Sequence, residues 1–128
     1  MKPELTLLVW CSALMLVQML VAAGGQFTQV GAMKLFGNRD DMPVITGWGG
    51  RAVRAHHNMI ENLLPFAALV LVALVAGKTN NMTLLGAQLF FWGRLAYAGI
   101  YVAGIIYLRT AAWAVSLVGM VMILVQLL

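Results

Sequence analysis

Hydrophobic residues run along this chain in four long blocks, and these blocks, rather than any short alternation, are its dominant pattern. The first spans about 5–31 and is interrupted only by Cys11, Ser12, Gln18 and the trio Gln26, Thr28 and Gln29. The others span about 48–76, 82–107 and 110–128. Between the first two lies KLFGNRDDMPVITGWGG, whose Gly37, Asn38, Asp40, Asp41, Pro43 and Gly47 supply dense turn chemistry. GKTNNM at 77–82 reads as a tight turn, and Leu108, Arg109 and Thr110 break the apolar run before the last block. Crossing a bilayer core takes roughly 20 apolar residues in a helix, and short connections make consecutive helices antiparallel neighbours. The pattern predicts an all-α integral membrane protein, a single domain over 1–128 built as an up-down-up-down four-helix transmembrane bundle. The first block is longer than the apolar core of a signal peptide and its basic flank is thin, so it reads as a retained helix.

Composition agrees with this reading and narrows the partners. Hydrophobic residues make up 62% of the 128 positions and charged residues 9%, against about 25% charged in soluble domains. The formal net charge is +4, yet the basic residues are scattered and form no run that would track a phosphate backbone, so nucleic acid is not an expected partner. Cys11 is the only cysteine and can form no disulfide within the chain. Lys34, Arg39, Arg51, Arg54 and Arg109 lie in or beside loops one and three, whereas Lys2 and Lys78 lie at the opposite side. The excess places loops one and three in the cytoplasm and both termini outside.

Two charges fall inside the predicted spans. Glu61 lies in the second and Arg94 in the third, and a charge at the helix centre costs about 2.5–3.5 kcal/mol on insertion scales. Helical spacing suggests how that cost is met. Arg51, Arg54, Asn58, Glu61 and Pro65 recur at intervals of three and four on one face, as do Arg94, Tyr97 and Tyr101 on the next helix. Two polar stripes on neighbouring helices are expected to face each other or a shared cavity, with Glu61 opposite Arg94. The blander reading is interhelical glue, worth about 0.6 kcal/mol per contact on average. A third possibility is an ion or proton pathway through Glu61 and Arg94. His56 and His57 are adjacent and point about 100° apart, and no third ligand is evident, so no metal site is expected.

The stretch RAVRAHHNMIENLLPF at 51–66 is similar to the R-x-x-R-A-x-x-N-x-x-E-x-x-x-P-[FL] signature of the membrane-associated proteins in eicosanoid and glutathione metabolism, the MAPEG family. GRLAYAGIY at 93–101 resembles that family's third-helix pattern of an arginine followed by tyrosines. The likeness extends over essentially the whole chain in length, four-span layout and loop placement. It implies a bacterial-type member in the inner membrane, assembled as a homotrimer, that uses glutathione as thiol cosubstrate between subunits near the cytoplasmic face. Carried over by position, Arg51, Arg54, Asn58 and Glu61 would hold the peptide's polar ends, Arg94 would close the cavity from below, and Tyr97 and Tyr101 would come from the next subunit. Arg109, with Tyr97 beside it, would be catalytic, the arginine activating the thiol.

The residue chemistry suits that implication. Glutathione carries two carboxylates and one ammonium, so its site needs guanidinium forks and at least one carboxylate. The implied activity is a glutathione-dependent transferase or peroxidase acting on lipophilic electrophiles. The alternative is a non-catalytic lipid-binding or scaffold protein of the same family. Three departures narrow the branch: His57 stands where some catalytic members have a second basic side chain, Asn62 where some have an aromatic, and Gln26 and Gln29 where eicosanoid-forming relatives tend to offer arginine. Eicosanoid synthesis is therefore not expected.

Overall fold

A computed structural model describes all 128 residues. It contains four helices and no strand: α1 (Pro3–Phe36), α2 (Gly47–Val75), α3 (Asn81–Ala103) and α4 (Ile106–Leu127). The helix ends have identifiable causes. Pro3 sits at the start of α1, where its missing N–H costs nothing. The Asn80 side chain accepts from the backbone N–H groups of Met82 and Thr83 while Thr83 Oγ1 accepts from the Asn80 N–H, a reciprocal cap that starts α3.

Three boundaries differ from those expected. The first helical path breaks at Gly31, as expected, because φ is +80° there, but a further piece continues to Phe36. The third helix stops at Ala103 rather than near 107. Gly104 adopts the left-handed conformation with φ +86°, and its N–H bonds the carbonyls of Ile100 and Tyr101, which ends the helix. The fourth helix consequently starts at Ile106 rather than 110, and Arg109 lies in its first turn instead of in a loop.

Helices α1, α2 and α4 are long and apolar enough to cross a membrane. The expected four-helix bundle forms; α3 also has the length of a span but carries Gln88 and Arg94 in its apolar run, which makes it less apolar than the other three. Its extensive packing on α4 supplies what its own composition lacks. At that seam glycines face each other: a Cβ added at Gly86 would lie 2.5 Å from the Gly119 carbonyl oxygen, so the backbones are in contact.

The core lies toward the end of the bundle that holds both termini. Phe66 and Phe90 stack with ring centroids 3.9 Å apart, and Cys11, Met59, Val70 and Ile123 complete a fully buried cluster around them. Helix α1 contributes an inward stripe of Glu4, Leu7, Cys11, Gln18, Ala22 and Gly25, every one buried. At the other end Gln29 clamps the start of α2. Its amide donates to the Thr46 carbonyl at 2.7 Å and accepts from the Thr46 N–H at 2.9 Å, acting as a stand-in for a strand partner.

Candidate functional site

Helix α2 enters the bundle with its basic residues on the first two turns, where they meet the last turn of α3. Arg51 Nε donates to the Val102 carbonyl at 3.0 Å, and its guanidinium lies against Gly104. It thereby satisfies one of the carbonyls that a helix end leaves free and places a cation at the negative end of the α3 dipole. The expectation that Arg51 serves a ligand is thus met by a different use for its Nε.

One turn further, Arg54 Nε donates to the hydroxyl oxygen of Tyr101 at 3.2 Å, and its guanidinium carbon stands 6.0 Å from that ring's centroid. Arg109, brought round by the early start of α4, lies 4.4 Å from the centroid of the same ring. Tyr101 therefore contacts two cations, and no carboxylate hydrogen-bonds either of them. The resemblance assigned the tyrosines to a neighbouring subunit; here Arg54, Tyr101 and Arg109 meet within one chain.

Below Tyr101 the Tyr97 ring lies 5.5 Å away, centroid to centroid. Arg94 covers Tyr97 at 4.2 Å. Arg94 is 1% exposed, and none of its three guanidinium nitrogens has a hydrogen-bond partner. The expected pairing with Glu61 does not form within the chain, since Glu61 lies on the exposed face of α2 while Arg94 points into the interior. Helical spacing placed each residue on its own polar stripe but could not fix the rotation of one helix against the other.

A polar cavity of about 190 Å³ opens among Asn58, Tyr97, Arg109, Thr110 and Trp113. Asn62 Nδ2 donates to both the backbone carbonyl and the side-chain oxygen of Asn58, at 2.8 and 3.1 Å. That fixes the Asn58 amide and leaves its NH₂ end as the group available to a ligand. Thr110 and Trp113 escaped the sequence reading; they belong to the site because Arg109 is helical, which puts Thr110 beside it and Trp113 one turn on. Of the expected residues, the structure brings together Arg54, Asn58, Arg94, Tyr97, Tyr101 and Arg109. It leaves Glu61 on the outer face and commits Arg51 to the end of α3. His56 and His57 stand with ring centroids 6.0 Å apart, and no group of three metal-binding side chains converges anywhere in the chain.

The arrangement can hold an anion between Arg54 and Arg109, accept or donate through Tyr97 and Tyr101, and orient an acceptor with Asn58. Comparison with curated proteins and with solved structures gives no significant match. Comparison with protein families does: the sequence model of the MAPEG family matches residues 7–128.

Proposed function

The chain belongs to the MAPEG family, and from that premise we propose that it is a glutathione-dependent transferase or peroxidase whose second substrate is a lipophilic electrophile. Membership together with three apolar spanning helices makes it an integral membrane protein of a family of glutathione and eicosanoid metabolism. One observation carries the finer reading: Arg54 and Arg109 flank Tyr101 without a carboxylate to neutralise them, beside a polar cavity. Two free guanidinium groups at a site of this kind suit a ligand with carboxylates and a sulfur that reacts as its anion.

In this reading Arg54 and the Asn58 NH₂ bind the peptide's acceptors, and Arg109 faces the thiol. A free thiol has a pKa of about 8.5, and lowering it by two units takes about 2.7 kcal/mol of preferential thiolate stabilisation, within reach of one partly desolvated guanidinium. In a conjugation the thiolate sulfur forms a bond to the electrophilic carbon, and the leaving group departs with the electron pair of the bond it breaks. The Tyr97 hydroxyl is placed to hydrogen-bond the group that gains charge. In this reading the electrophile arrives from the bilayer, a bacterial inner membrane, and the positive-inside bias supports a site at its cytoplasmic face.

The cavity of about 190 Å³ falls short of the roughly 300–1,000 Å³ of typical ligand sites. Glu61 and Arg54 also face outward on α2. Both facts support a homotrimer in which a neighbouring copy supplies the second wall and brings the Glu61 carboxylate to the ligand's ammonium. Titration calorimetry of the purified protein with glutathione, followed by a conjugation assay with a lipophilic aryl halide, tests the reading. Saturable heat and turnover are expected; no heat up to millimolar thiol overturns it.

A further inference from the structure

A second recess lies between α1, α2 and α3, separate from the polar cavity. Its wall is made of small residues, Ala52 and Ala55 on α2 with Ala98 and Gly99 on α3, and it encloses about 220 Å³. Leu14 and Val17 of α1 form its rim. Within this almost wholly apolar lining stands one polar side chain, Gln18. Gln18 is 8% exposed, and neither its Nε2 nor its Oε1 has a hydrogen-bond partner. Hydrocarbon cannot solvate a carboxamide, so leaving both ends unbonded is unfavourable and favours any ligand that satisfies them.

The chemistry of the amide selects that ligand. A carboxamide both donates and accepts and carries no charge, so its complement is a neutral group that does the same. A hydroxyl is the smallest such group, whereas a carboxylate would bring an unpaired charge against an apolar wall. We propose that this recess binds a single-chain lipid alcohol from the bilayer, its chain along the alanine and glycine wall and its hydroxyl paired with the Gln18 amide. The site goes beyond the thiol reaction and does not require it. The two regions adjoin at Ala55, which lines the recess and packs in one cluster with Tyr97, and at the last turn of α3, where Val102 lines the recess and its carbonyl accepts from Arg51.

The test uses the full chain in lipid nanodiscs and two photoreactive probes, a twelve-carbon alcohol and the matching alkane, each carrying a diazirine at the third carbon from one end, which in the alcohol is the hydroxyl end. Mass spectrometry maps the labelled residues. The alcohol is expected to label 14–21 and 98–102 about fivefold more than the alkane, the ratio that one net hydrogen bond supplies. Gln18→Leu, which removes the unbonded amide, is expected to abolish that preference while leaving the alkane's labelling unchanged. Gly99→Leu fills the recess at a position where an added Cβ meets nothing within 4 Å, so it is expected to lower labelling by both probes without lowering the melting temperature. Equal labelling by the two probes, or an alcohol preference that survives Gln18→Leu, overturns the proposal. So does labelling at 14–21 that appears only after the oligomer is dissociated, because a second copy would then be the occupant.

Discussion

Arg109 rests over the Tyr101 ring at 4.4 Å while Arg54 donates to the hydroxyl of that ring, so one aromatic side chain keeps two like charges from α4 and α2 in register. The ring's negative face attracts the first cation and its oxygen the second. In the proposed enzyme, Tyr101→Phe keeps the ring and removes the acceptor. It is expected to weaken glutathione binding about tenfold, from the 1.5–3 kcal/mol typical of a charged hydrogen bond discounted for exposure. Calorimetry measures this directly, and an unchanged affinity would detach Arg54 from the site.

Arg109 is expected to act on the thiol more than on binding. In Arg109→Ala the pKa of bound glutathione, followed by thiolate absorbance against pH, should rise by about one to two units toward its solution value. The thiolate is the form the arginine stabilises, so the wild-type pKa lies below that of the variant, and the loss of rate is largest at neutral pH and shrinks in base. Parallel pH profiles for the two proteins would remove Arg109 from the reaction.

Arg94 poses the opposite question, because it is buried with the Tyr97 ring beside it but no hydrogen-bond partner or counter-charge. A buried charge that no hydrogen bond or counter-charge compensates costs free energy, and a hydrophobic residue of similar length removes that cost. Arg94→Met is expected to raise the melting temperature in detergent by several degrees when no thiol is present. A fall of similar size would mean that a carboxylate from an adjoining copy neutralises it in the assembled protein.

The α3–α4 seam gives a prediction about stability alone. A methyl at Gly86 would collide with the Gly119 carbonyl, and one at Gly119 with the Gly86 carbonyl. Either alanine substitution is expected to cost about 1–3 kcal/mol, the range for overpacking. Gly99→Ala, where nothing lies within 4 Å, should be neutral or stabilising by about 0.5–1 kcal/mol through helix propensity. Thermal unfolding in a single detergent compares all three, and similar melting temperatures throughout would contradict the contact.

At the other end, Gln29→Leu should release the backbone N–H of Thr46, which the glutamine side chain now holds. Hydrogen exchange at 44–48 is expected to speed up at least tenfold, with α3 and α4 unaffected. Retained protection at Thr46 would show that another acceptor holds it.

Much of this was legible in the sequence because apolar blocks and turn residues are local signals. Arg54, Asn58, Tyr97 and Tyr101 stood out through spacing alone, since three- and four-residue intervals align side chains on a helix whatever surrounds them. What lay beyond reach depended on how helices rotate and dock. Arg51 shares its stripe with Arg54 yet bonds the end of α3, and Glu61 shares it yet stays outside. Thr110 and Trp113 were hidden because the apolar run continues past Gly104, whose left-handed φ ends the helix where periodicity predicted more of it. The buried stripe of α1 was overlooked for a similar reason: Gln18 was only an interruption of the first apolar block, and the packing is what shows it facing inward together with Glu4, Leu7 and Cys11.

The turn at Gly104 and Ile105 also acts as a phase lock. Only these two residues separate α3 from α4, and each residue of helix advances the azimuth by about 100°. One residue more or fewer in that turn would swing the Arg109 side chain roughly a third of the way round α4, off the Tyr101 face, while leaving every apolar contact type available to slide into place. The placement of the cation is therefore encoded as a length of chain, and a single-residue insertion beside Gly104 would separate site geometry from bundle stability more cleanly than any substitution within the site.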